Sequence, residues 1–161
     1  MDDCLFDYKH LLVARYSGQI CGVCVINDGE AKWDKKTIKQ RIGAHYLPEN
    51  QEEGFDYASE HYFEEICDKS MEPDCIELVA FCVEEGFRRK HIGNAMLDKL
   101  IELYPDKTIE LTVLANNASA IELYEQKGFT NYQCDKENKG TGFAPKGLRK
   151  PMVNHMRRVP Q

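Results

Sequence analysis

The sequence predicts a single α/β domain in which helices flank one β-sheet. Two observations support this class. Short apolar runs of strand-forming residues alternate with longer runs in which apolar residues recur at helical spacing, and glycine, proline, asparagine or aspartate stands at most boundaries. The chain has 161 residues, enough to bury one core, and neither an internal repeat nor a linker divides it. Residues 1–161 are therefore expected to form one domain.

A β-hairpin comes first in the chain. Residues 10–15 and 19–27 are apolar strands, and Tyr16-Ser17-Gly18 between them is a turn signal. Asn27-Asp28-Gly29 ends the second strand. Residues 28–74 then form a polar, acidic middle segment with helical tendencies, which are strongest over residues 33–42 and 54–70.

A strand, a helix and a second strand follow the middle segment. The first strand covers residues 75–83, and the amphipathic helix covers residues 92–104, where Pro105 stops it. The next strand covers residues 108–114. Two closing strands are predicted near the end of the chain, over residues 129–134 and 152–159.

A second helix is predicted between residues 114 and 129, with signals at both of its ends. Asn117 and Ser119 are candidates for its N-cap, and Ser119 with Glu122 fits a capping box. Gly128 is expected to follow its last turn in the left-handed conformation.

Charge and composition exclude several classes of function. A formal net charge of −6 argues against a general nucleic-acid binder, which needs a basic face. No apolar run is long enough to span a bilayer, so we expect no membrane partner. The start, Met1-Asp2-Asp3-Cys4, lacks the basic region of a signal peptide, and we therefore expect a cytoplasmic protein.

The seven cysteines are expected to be reduced thiols, because their number is odd and no export signal is present. Cys21 and Cys24 admit two interpretations, a redox or zinc-binding pair and two structural strand residues. Their neighbours are strand formers, an offset of three places the side chains on opposite faces, and no second pair has matching spacing. We favour the structural interpretation and predict no metal site.

A basic, glycine-bearing turn joins the strand at 75–83 to the helix at 92–104. Backbone N–H groups in the first turn of a helix have no internal partners, and the helix dipole adds positive charge there. Such a site accommodates a pyrophosphate. We call residues 88–94 the basic turn; its members are Arg88, Arg89, Lys90, His91, Ile92, Gly93 and Asn94.

Two motifs carry a resemblance to a known family. In the first, Val83 ends a strand and Arg88 and Gly93 follow it in the basic turn. The second is Asn117-x-x-Ala120-x-x-Leu123-Tyr124-Glu125-x-x-Gly128-Phe129. Together they resemble the GNAT superfamily of acyl-CoA-dependent N-acetyltransferases, whose turn pattern is Arg/Gln-x-x-Gly-x-Gly/Ala. The resemblance covers the chain from about residue 11 to its C-terminus.

The resemblance implies a GNAT-like mixed, mostly antiparallel central sheet flanked by helices, with acetyl-CoA as the cosubstrate. The backbone at Phe81, Cys82 and Val83 is expected to bind the pantetheine arm, and the N–H groups of the basic turn to wrap the pyrophosphate. Asn117 would contact the cofactor from the neighbouring strand-helix turn.

Relatives usually begin with a strand and two helices that form one wall of the acceptor site, and this chain lacks those elements. Either the chain is truncated, or the middle segment or a second subunit replaces the wall. A homodimer across the exposed sheet edge is therefore one of the expectations.

His91 departs from the family pattern, where glycine marks a positive φ or a close approach to a ligand. A negative φ, as in an ordinary first helical turn, would make histidine inexpensive at this position. We expect that geometry, with a solvent-facing, non-catalytic His91 side chain whose amide still points at phosphate.

Tyr124 and Glu77 are the candidate catalytic residues. In the resembling family the tyrosine of the second motif donates a proton to the departing thiolate; the alternative is a core residue of an amphipathic helix. Glu77 stands where many relatives carry a glutamate base; the alternative is a strand-edge carboxylate facing solvent. A backbone N–H near Val83 would meet the acetyl oxygen.

The acceptor is expected to be a primary amine of a small molecule or a peptide. Carboxylates between residues 48 and 74 face only one lysine, and such a field attracts cationic amines. A solvated helix face is the simpler interpretation. The carboxylates belong to Glu49, Glu52, Glu53, Asp56, Glu60, Glu64, Glu65, Asp68, Glu72 and Asp74. The competing hypothesis for the whole chain is an acyl-CoA-binding module or sensor without turnover.

Overall fold

One β-sheet and two α-helices make up the described part of the chain, which in the computed structural model comprises residues 8–29, 72–134 and 153–160. The sheet has six strands, and all neighbouring pairs but one are antiparallel. The predicted α/β class with a mixed, mostly antiparallel sheet is therefore confirmed. The helices predicted over 33–42 and 54–70 lie outside the described residues.

The hairpin forms as predicted. Strand β1 covers Leu11–Tyr16 and strand β2 covers Gln19–Asn27. Ser17 (φ 50°) and Gly18 (φ 82°) both have left-handed backbones, the requirement of a two-residue turn that matches strand twist. His10 ends a short 3₁₀ helix instead of beginning the strand.

The next three elements form a strand-helix-strand unit. Strand β3 covers Cys75–Val83, helix α1 covers Ile92–Leu103 and strand β4 covers Thr108–Leu114. The strands β3 and β4 are parallel, as a helical crossover between neighbouring strands allows. The predicted bounds of both strands are confirmed, and α1 ends one residue earlier than predicted.

Helix α2 covers Ala118–Gln126, and Asn117 is its N-cap. The capping box predicted for Ser119 and Glu122 is wrong. The Asn117 side chain accepts the N–H of Ala120, so the helix begins before Ser119, whose hydroxyl donates to Asn117 Oδ1 instead. Gly128 follows the helix with φ 84°, as predicted.

Strands β5 and β6 complete the sheet, over Thr130–Cys134 and Val153–Arg158. The order across the sheet is β1-β2-β3-β4-β6-β5, so β3 and β4 lie at its centre. This position matters because the only parallel pair among the described strands is also the pair that separates along its length.

The core lies on one face of the sheet, between the strands and both helices. Met96, Leu97 and Leu100 of α1 and Tyr124 of α2 pack in one cluster with inward side chains of the central strands. We call the opposite face of the sheet, against which neither of the described α-helices packs, the open face. Alternation along β4 assigns Ile109, Leu111 and Val113 to the core and Thr108, Glu110, Thr112 and Leu114 to the open face.

Cys21 and Cys24 are both free and buried, and Cys24 belongs to the core cluster. Burial raises the pKa of the Cys24 thiol to about 12. A thiol that stays protonated is a poor redox nucleophile, and this supports the structural interpretation of the pair.

The described residues contain no group of three or more histidine, cysteine, aspartate or glutamate side chains that could hold a metal ion. None of their helices is long and apolar enough to cross a bilayer.

Candidate functional site between strands β3 and β4

Strands β3 and β4 pair with each other over only part of their length. Residues 75–78 pair with residues 108–111, and beyond Leu78 and Leu111 the two strands separate. From there β3 pairs only with β2, and β4 only with β6. Within the described part of the chain, the facing edges of both strands therefore have backbone groups without a strand partner.

A β-bulge in β3 lies where the separation begins. Val25 of β2 pairs with Ala80, but Ile26 pairs with Leu78, so Val79 has no partner on β2. An extra residue of this kind bends a strand and shifts its alternation. Ile76 and Leu78 accordingly lie in the core before the bulge, and Phe81 and Val83 pack against the core after it.

The separation opens a cleft of about 260 Å³. Residues from both faces of β4 line it. Apolar side chains dominate the lining, with a tyrosine, a threonine and an asparagine as the polar groups. The lining residues are Leu78, Val79, Phe81, Leu111, Thr112, Val113, Leu114, Asn117, Ala120, Leu123 and Tyr124.

Tyr124 forms the helix side of the cleft. It is only 6% exposed, and its ring contacts those of Phe81 and Phe129, with centroids 6.2 and 5.7 Å away. Burial, assisted by the nearby Cys24 thiol, raises the pKa of Tyr124 to about 12. The hydroxyl is therefore protonated at neutral pH and able to donate a hydrogen bond. Tyr124 packs in the core, as the second interpretation of this residue expected, and also lines the cleft; its catalytic role stays a prediction.

Asn117 lies at the entrance of the cleft, at the junction of β4 and α2. Its Oδ1 atom caps the helix by accepting the Ala120 N–H at 3.3 Å. This bond fixes the side chain at the cleft wall.

The basic turn offers a row of free backbone donors. Among the described residues, no acceptor is found for the N–H groups of residues 89–94, whereas Arg88 N–H bonds Glu85 and Ala95 N–H bonds His91. The backbones of Arg89 (φ 60°) and His91 (φ 58°) are left-handed and that of Lys90 between them is not. Alternation of this kind turns successive N–H groups toward one point and forms anion-binding concavities.

The prediction of a negative φ at His91 is wrong. His91 is the N-cap of α1 with φ 58° and ψ 14°, a left-handed conformation that costs an L-residue about 1–2 kcal/mol. The family glycine at this place relieves the same strain, so the histidine keeps the turn's geometry at an energetic cost. Its side chain makes no capping hydrogen bond and is exposed, as predicted.

The three basic side chains of the turn have different surroundings, although all are exposed. Arg88 folds back, and its Nε donates to the carbonyl of Val83 at 3.2 Å. The Lys90 ammonium lies 5.3 Å from the ring centroid of Tyr16 and 5.1 Å from that of Phe87, within cation–π range. No contact of the Arg89 side chain is found within the described residues.

Gly93 links the basic turn to the cleft. A β-carbon at this position would lie 3.2 Å from Leu123 Cδ2 and 3.6 Å from Phe81 Cε1. The first turn of α1 thus lies directly against the cleft residues of α2 and β3. The φ of Gly93 is not positive, so the advantage of glycine here is the close approach of Leu123 and not backbone strain.

A polar cluster occupies the open face beside the cleft. Glu110 accepts hydrogen bonds from Arg157 at 2.5 Å and from the Tyr132 hydroxyl at 3.3 Å. Thr112 Oγ1 lies 3.1 Å from His155 Nδ1. Glu77 is in register with Glu110 on β4, four residues before Phe81, and is absent from the residues that line the cleft.

The structure brings most of the predicted cofactor residues around one continuous surface. Phe81 and Asn117 line the cleft with Tyr124, Val83 ends the strand that leads to the basic turn, and Gly93 joins the two. Cys82 is exposed on the same strand. Sequence reasoning missed Thr112 and His155, because their pairing depends on an antiparallel β4-β6 contact between distant segments. The polar residues that alternate with apolar ones along β4 were the available signal.

Comparisons with known proteins place these features in context. Residues 1–129 match the model of the acetyltransferase (GNAT) family. No curated protein matches the chain in sequence.

Several solved structures share its fold. An N-acetyltransferase from Staphylococcus aureus Mu50 is 20% identical, with a TM-score of 0.63 over 96% of this chain and 73% of that one. The ribosomal-protein-S18-alanine N-acetyltransferase from Escherichia coli is 17% identical, with a TM-score of 0.57 over 96% and 73%. Naa20 from Chaetomium thermophilum, in complex with a bisubstrate analogue, is 20% identical, with a TM-score of 0.55 over 94% and 66%.

Proposed function

Because the chain belongs to the GNAT acetyltransferase family, we propose that it transfers the acetyl group of acetyl-CoA to a primary amine by direct attack. One observation carries the proposal. The cleft between β3 and β4, with Tyr124 on its wall, is continuous through Gly93 with a turn whose N–H groups at residues 89–94 lack acceptors among the described residues. A ligand with a diphosphate at one end and a thioester at the other fits this surface.

The basic turn is proposed to bind the pyrophosphate. Free N–H groups at a helix N-terminus bind phosphate oxygens well, and the dipole of the 12-residue helix α1 adds to their effect. Arg88, Arg89 and Lys90 add positive charge at this mouth. Because the Arg88 and Lys90 side chains already have partners, the main-chain N–H groups are expected to contribute more to pyrophosphate binding than these two side chains.

The unpaired edge of β3 is proposed to bind the pantetheine arm. After the bulge at Val79, the backbone groups of Phe81, Cys82 and Val83 that point away from β2 have no strand partner in the described part of the chain. An amide-containing arm can complete their hydrogen bonds as an added strand would. The apolar lining of the cleft excludes water from the arm's alkyl portions.

Acetyl-CoA supplies an activated acetyl thioester. An amine of lysine type, with a pKa near 10.4, must first lose a proton, which costs about 4.6 kcal/mol at pH 7. Tyr124 is proposed to donate a hydrogen bond to the departing sulfur. With its pKa raised to about 12, the tyrosine is a weak acid. We therefore expect this hydrogen bond to stabilise the departing thiolate more than complete proton transfer would. A backbone N–H near Val83 is proposed to stabilise the acetyl oxygen.

Glu77 stays a proposed base. It lies near the strand separation but outside the residues that line the cleft, so it would act through water or after a rearrangement. The same observation favours a second function, an acyl-CoA-binding module or sensor without turnover, because no carboxylate of the described residues lines the cleft.

The acceptor is proposed to be a primary amine of a small molecule or a peptide. A protein N-terminus is one option, since one structure of the same fold is a ribosomal-protein-S18-alanine N-acetyltransferase. A cationic amine attracted by the carboxylates of residues 48–74 is another. A homodimer that completes the acceptor side also stays a proposal.

Calorimetric titration with acetyl-CoA, followed by a thiol-release assay over an amine panel, tests the proposal. The panel contains a polyamine, an aminoglycoside, a lysine peptide and peptides with a free N-terminal alanine. Binding with amine-dependent release supports the acetyltransferase. Binding without release on any amine supports the module, and no binding contradicts both.

A further inference from the structure

We propose that Thr112 and His155 on the open face receive the proton that the acceptor amine loses, in place of Glu77. The inference rests on the proposed function and deepens it by assigning a base to the acceptor side. Thr112 is the residue that would contact the amine, and His155 is the group that would store the proton.

The geometry of the pair supports this role. Thr112 follows Leu111, the last residue of β4 that pairs with β3, so it lies where the cleft opens. It is directly opposite His155 in the antiparallel β4-β6 ladder, and Thr112 Oγ1 lies 3.1 Å from His155 Nδ1. A residue that lines the cleft and whose hydroxyl bonds an imidazole is placed to pass a proton between them.

The amine is expected to approach from the open face. On the helix side, Tyr124 is packed between the rings of Phe81 and Phe129, and Leu123 and Gly93 close the space beside it. The basic turn begins α1, on this helix side. Thr112 is exposed on the opposite face and lines the cleft, so an amine that reaches the cleft from that face is expected to pass close to Thr112.

The step begins with the free-base amine, whose ammonium form has already given one proton to water, because an ammonium nitrogen has no lone pair. As the amine nitrogen bonds the acetyl carbon, one amine N–H bond breaks and its proton moves to Thr112 Oγ1. The original hydroxyl proton of Thr112 moves to His155 Nδ1, which requires the neutral imidazole with its proton on Nε2. The C–S bond breaks, and the thiolate takes a proton from Tyr124 or from water. The imidazolium later releases one proton to water, and a Tyr124 that has given up its proton regains one from water.

Among the described residues, the charged groups near His155 lie on three strands. Glu110 of β4 is paired with Arg157 of β6, and Glu77 of β3 is in register with Glu110. The Tyr132 ring of β5 lies 6.3 Å from the imidazole and 4.1 Å from the Arg157 guanidinium, measured from its centroid. Two carboxylates and one guanidinium are therefore the charged groups that the described residues place on this part of the face.

Four variants separate this role from a structural one. Thr112→Val and His155→Asn are each expected to lower kcat about 100-fold, the typical contribution of a general base, and to change how kcat/KM depends on pH. The double variant should be no slower than either single one. Thr112→Ser keeps the hydroxyl and should stay within a few-fold of wild type, and Thr108→Val, on the same strand and face, is the matched control.

An NMR measurement gives a readout independent of turnover. Imidazole ¹⁵N spectra, with the His155 signal assigned from His155→Asn, should show an Nδ1 acceptor that shifts in Thr112→Val and not in Thr108→Val. An unchanged signal in Thr112→Val overturns the inference.

The kinetic outcomes distinguish the inference from the proposed function. If wild-type protein turns over and both Thr112→Val and His155→Asn keep its rate and pH profile, only the inference fails. If wild-type protein does not release thiol with any amine of the panel, the proposed function and the inference fail together. A changed profile in Glu77→Gln alone returns the role of base to Glu77.

Discussion

At the scale of single residues, His91 replaces the glycine of the family pattern, yet the backbone at this position is still left-handed. The turn keeps the left-handed conformation that glycine normally supplies, with φ 58° on a histidine. Sequence reasoning favoured the unstrained geometry because histidine rarely adopts a positive φ. The structure indicates that the geometry of the donor row overrides this local preference.

His91→Gly is expected to be more stable than His91→Ala, because alanine keeps the left-handed strain of about 1–2 kcal/mol and glycine relieves it. The unfolded-state entropy of glycine offsets part of the gain, so we expect a net difference of about 0.5–1 kcal/mol in the free energy of unfolding. Urea denaturation of both variants measures it. At Lys90, whose φ is not positive, Lys90→Ala should instead be more stable than Lys90→Gly. If the glycine variant were the more stable one at both positions, backbone strain at His91 would be contradicted.

Tyr124→Phe is expected to lower kcat by about 10-fold or more while leaving acetyl-CoA affinity close to wild type. The ring packing survives the change and only the hydrogen-bond donor is lost. Stopped assays and calorimetry measure the two quantities. Because its pKa is raised to about 12, Tyr124 should also produce no activity limb below pH 10. An unchanged kcat would make Tyr124 a packing residue.

At the scale of elements, the bulge at Val79 marks what periodicity alone could not predict. The strand bounds Cys75–Val83 and Thr108–Leu114 could be read from apolar runs, since local composition sets them. A strict period of two would place Glu77 on the same face as Phe81 and Val83. The bulge reverses the alternation, and it arises from pairing with β2, which a linear pattern does not contain. The Thr112–His155 pair was missed for the same reason.

Gly22 is expected to be indispensable for packing helix α1 against the sheet. A β-carbon there would lie 2.6 Å from Met96 Sδ and 3.2 Å from the Cys82 carbonyl. Gly22→Ala should therefore destabilise the protein by about 1–3 kcal/mol, the usual cost of overpacking. Gly86→Ala is the control, since nothing lies within 4 Å of its added carbon. Equal melting temperatures for the two variants would contradict this packing.

At the scale of the whole molecule, the buried thiol and phenol predict how stability depends on pH. Folding raises the pKa of Cys24 from 9.0 to about 12 and that of Tyr124 from 10.0 to about 12. Above pH 9 the unfolded chain therefore binds fewer protons than the folded one. Below pH 9 these two groups should not change the free energy of unfolding with pH. Above pH 9 the free energy of unfolding should fall, by at most about 1.4 kcal/mol per pH unit for each group.

Denaturant titrations from pH 8 to pH 11 measure this fall. Cys24→Ala removes the first of the two groups and should flatten the slope between pH 9 and pH 10, whatever it does to stability at pH 8. Cys82→Ala, at an exposed cysteine, is the matched control. A slope that is the same in both variants would show that Cys24 ionises equally easily in the folded and unfolded chains.

The cleft and the basic turn are proposed to present acetyl-CoA together to an amine. The most direct test is incubation with ¹³C-acetyl-CoA and the amine panel, followed by mass spectrometry of the amines and of free CoA. We expect one class of amine to carry the labelled acetyl group as an amide, in an amount equal to the CoA released. Release of CoA without any labelled amine, or labelled acetyl-CoA recovered intact with every amine, would contradict it.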